Sequence, residues 1–307
     1  MPDPLVFSKD GVEYMTLCVD LTVYWAGPAS DHVDGILHFY NVGLDLLGSG
    51  LKHYATEEMP YAEPISDAAL SILPQWLAGA DPTKDIFTLN LETNPVPDMP
   101  SDAAFDIWAV EYPEDPAGMM RMILPVDFVQ GSPEKLVELA RESTGSMAFH
   151  SGHGGYAINW DHKGEYAFPA RREMAVLSRR YPGIELPEVA VTLMALYDGM
   201  KRVNWLTLAG NALLDSVDDR DALVARLDST EGVVVEPLSG GILVVAGPEP
   251  KLGDVNRQED LGAYHAVGRE LAPLRSKDHP PFLVDQRGRA DEELTEEWLG
   301  YFDGDSV

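Results

Sequence analysis

Strand-like and helix-like segments follow one another along this chain in an order that limits the possible folds. The segment VEYMTLCVDLTVYW, residues 12–25, is rich in β-branched and aromatic residues and follows a turn at Asp10-Gly11, which predicts a long strand. Three further segments, DIFTLNLE, FDIWAVEY and MMRMILPVDF, succeed one another with Pro and Gly turns between them. Their order predicts an antiparallel meander.

Helix signals are mixed irregularly with these strands. SPEKLVELARE, residues 132–142, begins with residues that helix N-termini prefer, and LGAYHAVGRELAPLR, residues 261–275, has apolar residues at helical spacing. Between them, GVVVEPLSGGILVVAG predicts a hairpin. Because strict βαβ alternation is missing, we predict an α+β fold with a mixed, largely antiparallel sheet, or sheets, flanked by helices.

The order of segments also suggests a division of the chain. We expect an N-terminal α+β half, a C-terminal α+β half and an acidic C-terminal extension, at residues 1–145, 146–275 and 276–307. The two halves could be similar, although no residue-level repeat is visible. In the extension, Leu294, Trp298 and Tyr301 share one helical face, which predicts a helix that docks on the rest of the chain.

The net charge restricts the kinds of partner. The chain has 51 Asp and Glu residues against 22 Lys and Arg residues, so its formal net charge is −29. Such a charge repels nucleic acid and anionic membranes and favours encounter with basic partners. The same acidity could serve solubility alone. Cys18 is the single cysteine, so an intramolecular disulfide is excluded. We expect Cys18 to be a small buried residue.

No targeting segment is visible in the sequence. The first residues, MPDPLVFSKDG, lack the basic and long apolar regions of a signal peptide. No apolar run approaches the roughly 20 residues that a membrane span needs. We therefore expect a soluble, cytoplasmic protein.

One loop, AGPEPKLGD at residues 246–254, resembles a phosphate site in its position between a strand and a helix. A P-loop requires Lys and then Ser or Thr after its last glycine, whereas Gly253 is followed by Asp254 and Val255. Prolines and acids also stand where backbone amides would bind phosphate. The loop is therefore predicted to be a rigid corner, and no cofactor is expected.

The segment FHSGHGGYAINWDH places His150, His153 and His162 near one another, with Asp161 beside them. Zinc hydrolases use histidine and carboxylate ligands. Three glycines in the segment oppose a helix, which favours a glycine-rich turn whose histidines are polar loop residues or make backbone hydrogen bonds. A metal-dependent hydrolase using the His150 and His153 region stays as the alternative function. No GxSxG elbow occurs, and we predict no enzyme and assign no catalytic residue or metal ligand.

Several motifs occur in order in the second half: GGYAINW, RRYPGIELPE, GMKRVNWLTLAGNALL, and GGILVVAGPEPKLGDVNRQEDLGAYHAVGRELAPLR. They resemble the type VI secretion immunity proteins of the TsiV-like family, in which a YPG turn, a K-x-VNWLT segment and an AG-x-x-P-x-x-GDVN loop follow in this order. The resemblance covers residues 145–275. The first 140 residues match only by the order of their elements, and the last 30 do not match.

The resemblance implies an immunity protein that binds a type VI effector toxin inside the producing cell and blocks it stoichiometrically. It carries no catalytic residues over to this chain. A cytoplasmic location implies a toxin with a cytoplasmic target. Because nuclease clefts are basic, a nuclease toxin is the leading expectation, with no nucleic acid or membrane as partner. A structural protein of the secretion apparatus is a third possibility.

Two acidic loops are the candidates for contact with such a toxin, VEYPEDPAG and DSVDDRD. The candidate residues are Glu111, Glu114, Asp115, Asp215, Asp218, Asp219 and Asp221. The alternative is that both loops are solvated turns without a binding role.

Overall fold

The structure, a computed structural model, describes residues 5–79, 85–94, 99–112, 114–145, 147–160 and 166–304. Within these residues, eleven strands form one sheet in which the paired strands are antiparallel. The strands are β1 (Val6–Lys9), β2 (Val12–Ala26), β3 (His53–Thr56), β4 (Glu63–Pro64), β5 (Ile86–Glu92), β6 (Ala104–Val110), β7 (Ala117–Leu124), β8 (Ser151–Trp160), β9 (Leu206–Gly210), β10 (Val233–Leu238) and β11 (Gly241–Ala246).

Helices flank this sheet, so the predicted α+β class is confirmed. They are α1 (Val33–Leu47), α2 (Asp67–Leu70), α3 (Ile72–Ala78), α4 (Glu134–Thr144), α5 (Ala167–Arg180), α6 (Val189–Met194), α7 (Asn211–Leu214), α8 (Arg220–Asp228), α9 (Gly262–Leu271) and α10 (Glu292–Leu299). No helix among the described residues is both long enough and apolar enough to cross a membrane.

The strand order is β10-β11-β9-β8-β2-β7-β6-β5-β3-β4, and β1 also pairs with β2. The predicted meander is formed by β5, β6 and β7, and the predicted hairpin by β10 and β11. In the middle, β2 pairs with β8 from Met15 opposite Trp160 to Tyr24 opposite Ser151. The sheet therefore continues across the boundary expected near residue 145, which falls between α4 and β8.

Alternation of side chains along β2 gives the sheet two different faces. Val19 and Leu21 belong to the main hydrophobic core, to which α1 contributes Ile36. Their neighbours Cys18 and Asp20 turn to the opposite face, which is called the second face below. Cys18 is 2% exposed, as predicted for a small buried residue.

The C-terminal extension packs onto the rest of the chain. Leu294 and Trp298 are buried as predicted, but Tyr301 is 40% exposed and Phe302, at 1%, takes the buried position instead. Because α10 ends before Tyr301, helical spacing no longer groups that residue with Trp298. The guanidinium of Arg202 lies 3.9 Å from the centre of the Trp298 ring, so the extension covers a buried cation.

The glycine- and proline-rich loop forms a corner between β11 and α9, as predicted. The Glu259 carboxylate accepts hydrogen bonds from the backbone N–H groups of Gly253, at 2.8 Å, and Asp254, at 3.0 Å. A phosphate would need such amides, and here a carboxylate of the same chain occupies them. The N–H of Gly183 donates to the carbonyl of Leu252 at 2.9 Å, so the YPG turn packs against this corner.

Candidate functional site

His150 and His153, the two histidines of this segment that the structure describes, do not form a shared site. His153 Nε2 lies 3.5 Å from Asp20 Oδ2 in the interior, whereas His150 Nε2 lies 3.4 Å from a backbone carbonyl oxygen. Among the residues that the structure describes, no group of three or more His, Cys, Asp or Glu side chains could hold a metal ion. Asp161 and His162 lie outside the described residues. This geometry does not favour the metal-dependent hydrolase.

A cluster of charged side chains lies in the middle of the second face. Arg121 Nε donates to Asp20 Oδ2 at 2.9 Å, and Arg121 Nη2 donates to the carbonyl of Ile158 at 3.1 Å. Nearby, Lys201 Nζ lies 2.5 Å from Glu185 Oε1. These four charged residues are each exposed by 5% or less. A charge this deeply buried depends on its partner, because it has lost its hydration.

The cluster keeps its carboxylates ionised. Burial alone would raise the pKa of Asp20, but the His153 and Arg121 side chains outweigh burial and lower it. Burial would also raise the pKa of Glu185, but Lys201 and His153 outweigh burial and lower it. Since the charges are paired with one another, the arrangement suits a structural role that ties β2, β7 and β8 to the segment around residues 185–201.

His279 lies beside this cluster and makes stability depend on pH. It is 6% exposed, and burial together with the Lys201 ammonium lowers its pKa to about 4. In the unfolded chain a histidine has a pKa of about 6.5, so between these values the unfolded state binds the extra proton. The free energy of unfolding should therefore fall as the pH falls from about 6.5 to about 4, by up to roughly 1.4 kcal/mol per pH unit.

Urea unfolding at a series of pH values measures this slope. Replacement of His279 by Gln removes one titrating group, so the variant should lose less stability than the native chain over the same interval. Equal slopes for the two proteins would show that His279 does not titrate between the folded and unfolded states as its burial implies.

The register of the sheet brings several loops to one end of the molecule. Pairing is continuous along that end, strand by strand. The pairs are Thr56 with Leu89, Ile86 with Val110, Val110 with Ala117, Ala117 with Ala26, Tyr24 with Ser151, Ser151 with Ala209, and Gly210 with Gly241. The segments that start from these strand ends include residues 27–32, 57–62, 111–112 with 114–116, and 211–219, the last of which begins with α7. Residues 195–199 reach the same end, because the carbonyl of Gly199 lies beside His150.

These loops are rich in carboxylates. We call the following residues the acidic rim: Asp31, Glu57, Glu58, Asp85, Glu111, Glu114, Asp115, Asp198, Asp215, Asp218 and Asp219. All except the half-buried Glu111 are exposed. The described residues of the loops named above contain no Lys or Arg. A surface of this kind creates a negative potential.

The predicted contact residues all lie at this end, with Asp221 in the first turn of α8. The side chains of Glu111, Asp215 and Asp219 also bond within this chain. Glu111 Oε1 accepts from the N–H of Ala29 at 3.0 Å, and burial raises its pKa. Asp219 caps α8, and Asp215 Oδ1 lies 2.9 Å from Arg220 Nη1. The other four, Glu114, Asp115, Asp218 and Asp221, are exposed. Contact of any of these residues with a toxin stays a prediction.

Two comparisons with known proteins gave a match. A sequence profile of TsiV, described as type VI immunity for VRR-NUC, matches residues 102–302. The chain is similar in structure to the Pseudomonas aeruginosa T6SS protein PA0821, with a TM-score of 0.80 and 18% sequence identity, over 100% of this chain and 89% of that chain. At this identity the similarity supports the fold alone. A search among curated proteins gave no match.

The profile match is longer than the resemblance described from the motifs. It begins just before β6 and runs through α10, so the expectation that the C-terminal extension does not match was wrong as far as residue 302. The packing of α10 on the core explains why a family pattern would extend into it. Because the match covers more than half of the chain, this protein belongs to the TsiV family of type VI immunity proteins.

Proposed function

We propose that this protein neutralises a VRR-NUC nuclease effector by binding it directly, in a one-to-one complex, in the cytoplasm. The family match carries the proposal, because the family is described as type VI immunity for VRR-NUC. The acidic rim supports the choice of binding surface, because its eleven carboxylates lie at one end of the sheet. Neither argument requires a catalytic step in this chain.

Electrostatics explains why such a surface suits a nuclease. A protein that binds nucleic acid presents Lys and Arg to the phosphates, and this contact supplies much of its affinity. An array of carboxylates offers the same basic surface an alternative partner. Complementary charge also raises the rate of encounter, which favours capture of the toxin before it reaches its substrate. The rim would thus occupy the surface that the nuclease uses for nucleic acid.

The substrate of the toxin sets the place of action. Nucleic acid lies in the cytoplasm of a bacterial cell, and an inhibitor that protects it must meet the nuclease there. Inhibition by occupation of a surface consumes one inhibitor for each toxin molecule. The protein therefore has to be present in at least the same amount as the toxin. It also has to bind tightly, because released toxin would be active.

Protection of cells tests the proposal. We expect a VRR-NUC effector to be encoded beside this protein, and that effector should stop growth when produced alone in the cytoplasm of a test strain. Production of this protein together with the effector should restore growth, and an unrelated acidic protein of similar charge should not. If the effector stays toxic while this protein accumulates in folded form, the proposed function is wrong.

A further inference from the structure

Three large apolar side chains are exposed at one part of the acidic rim. Tyr112 is 44% exposed, Met194 71% and Tyr197 45%. Tyr112 lies in the loop between β6 and β7, whereas the other two lie at and just after the end of α6. Exposure of one such residue is ordinary, but a group of them at a charged edge is typical of a surface that a partner covers.

The packing of the chain brings the segments that carry these side chains together. Leu193 and Leu196, the neighbours of Met194 and Tyr197, pack in one hydrophobic cluster with Ala117 at the start of β7. This places the end of α6 against the strand that follows the Tyr112 loop.

Carboxylates stand among the exposed apolar groups. The N–H of Asp115 donates to the carbonyl of Tyr112 at 3.1 Å, so the two residues share one turn. Burial and the Asp115 charge both raise the pKa of Tyr197, which fits a short distance between that carboxylate and the phenol. Glu114 and Asp198 are exposed beside them. Acidic and aromatic groups therefore occur together in this part of the rim.

This mixture fits the side chains of arginine and lysine. The face of a tyrosine ring attracts a cation, and the attraction strengthens when water is removed. A neighbouring carboxylate pairs with the same cation. Tyr and Met also contribute apolar contact area, and a Tyr side chain loses little conformational entropy on binding. A purely acidic surface would attract the same partner from a distance but would bury little apolar area on contact.

We infer that Tyr112, Met194 and Tyr197, with Glu114, Asp115 and Asp198, form the anchoring part of the interface and receive arginine and lysine side chains of the toxin. This inference rests on the proposed function. The opposite part of the rim, residues 215–219, exposes no large apolar side chain among its described residues. Residues 215–219 attract the toxin over a distance, and the anchoring part around Tyr112, Met194 and Tyr197 slows its dissociation after contact.

Binding kinetics with single substitutions test this assignment. The probe is the purified VRR-NUC effector that we expect to be encoded beside this protein, and the measured quantity is its dissociation rate from the immobilised protein. Tyr112→Ala and Tyr197→Ala should each raise the dissociation rate by roughly tenfold or more, whereas Tyr→Phe at the same positions should change it by less than about threefold. Met194→Ala should also speed dissociation.

Two matched controls come from the same chain. Tyr301 is 40% exposed and Val176 is 59% exposed, and both lie outside the rim loops. Tyr301→Ala and Val176→Ala should leave the dissociation rate unchanged within about twofold, with thermal unfolding used to verify that all variants are folded. If the native protein binds but Tyr112→Ala and Tyr197→Ala dissociate like Tyr301→Ala, the anchoring role is wrong and the proposed function stands. If the native protein does not bind the effector, both the anchoring role and the proposed function are wrong.

Discussion

An Asp20→Ala variant is expected to unfold with a free energy about 3–5 kcal/mol lower than that of the native protein. Asp20 is fully buried and accepts from Arg121 Nε at 2.9 Å. Its removal leaves the Arg121 guanidinium in the interior, where the lost hydration is no longer offset by an opposite charge. Because a typical domain is stable by only about 5–15 kcal/mol, this loss should be plain in urea unfolding at neutral pH.

Two controls separate the buried charge from other causes. The double variant Asp20→Leu with Arg121→Met removes both charges and should recover most of the loss, since apolar replacements of a buried pair are often neutral or stabilising. Arg220→Ala breaks the pair with Asp215, which is 65% exposed, and should cost less than about 1 kcal/mol. An Asp20→Ala variant no less stable than Arg220→Ala would mean that the buried pair does not support the sheet.

Reversal of charge on the acidic rim should slow association with the toxin. The variant carries Lys in place of Glu114, Asp115 and Asp218, which lie on both predicted acidic loops and are exposed. We expect the association rate with the VRR-NUC effector to fall about 10- to 100-fold at low ionic strength. The difference in association rate between the variant and the native protein should shrink as salt is added. At 0.1 M salt, the interaction between exposed charges decays over about 10 Å.

The matched control changes the net charge by the same amount elsewhere. Asp228, Glu231 and Glu249 are exposed near the strand ends at the opposite end of the sheet, where Val233 pairs with Ala246. Their replacement by Lys should reduce the association rate much less than the rim variant does. Equal effects of the two variants would mean that total charge matters and the position of the rim does not.

Local features of this chain could be predicted from its sequence because their causes are local. The meander and the hairpin depend on short turns between apolar segments, and β2 depends on its own β-branched and aromatic residues. The pairing of β2 with β8 could not be predicted, since those strands are more than a hundred residues apart in the chain. Strand register over such a separation depends on the packing of the whole sheet.

The rim and the buried cluster were missed for the same physical reason. The acidic loops were visible as charged segments, but only the register shows that both start from one end of the sheet. Arg121 in MMRMIL and Asp20 in LCVDLT were a usable signal, because a charge within an apolar strand must find a partner. The sequence could not show that the two residues meet. Their contact requires β2 and β7 to be adjacent.

The most direct measurement is a titration of the purified VRR-NUC effector with this protein, with cleavage of DNA as the readout. Direct stoichiometric inhibition predicts that activity falls linearly and reaches zero at one molar equivalent, and that both proteins are recovered chemically unchanged as a one-to-one complex. Full nuclease activity in the presence of excess folded protein would contradict this mechanism. Complete loss of activity at a small fraction of an equivalent would contradict it as well, because it would require turnover by an enzyme.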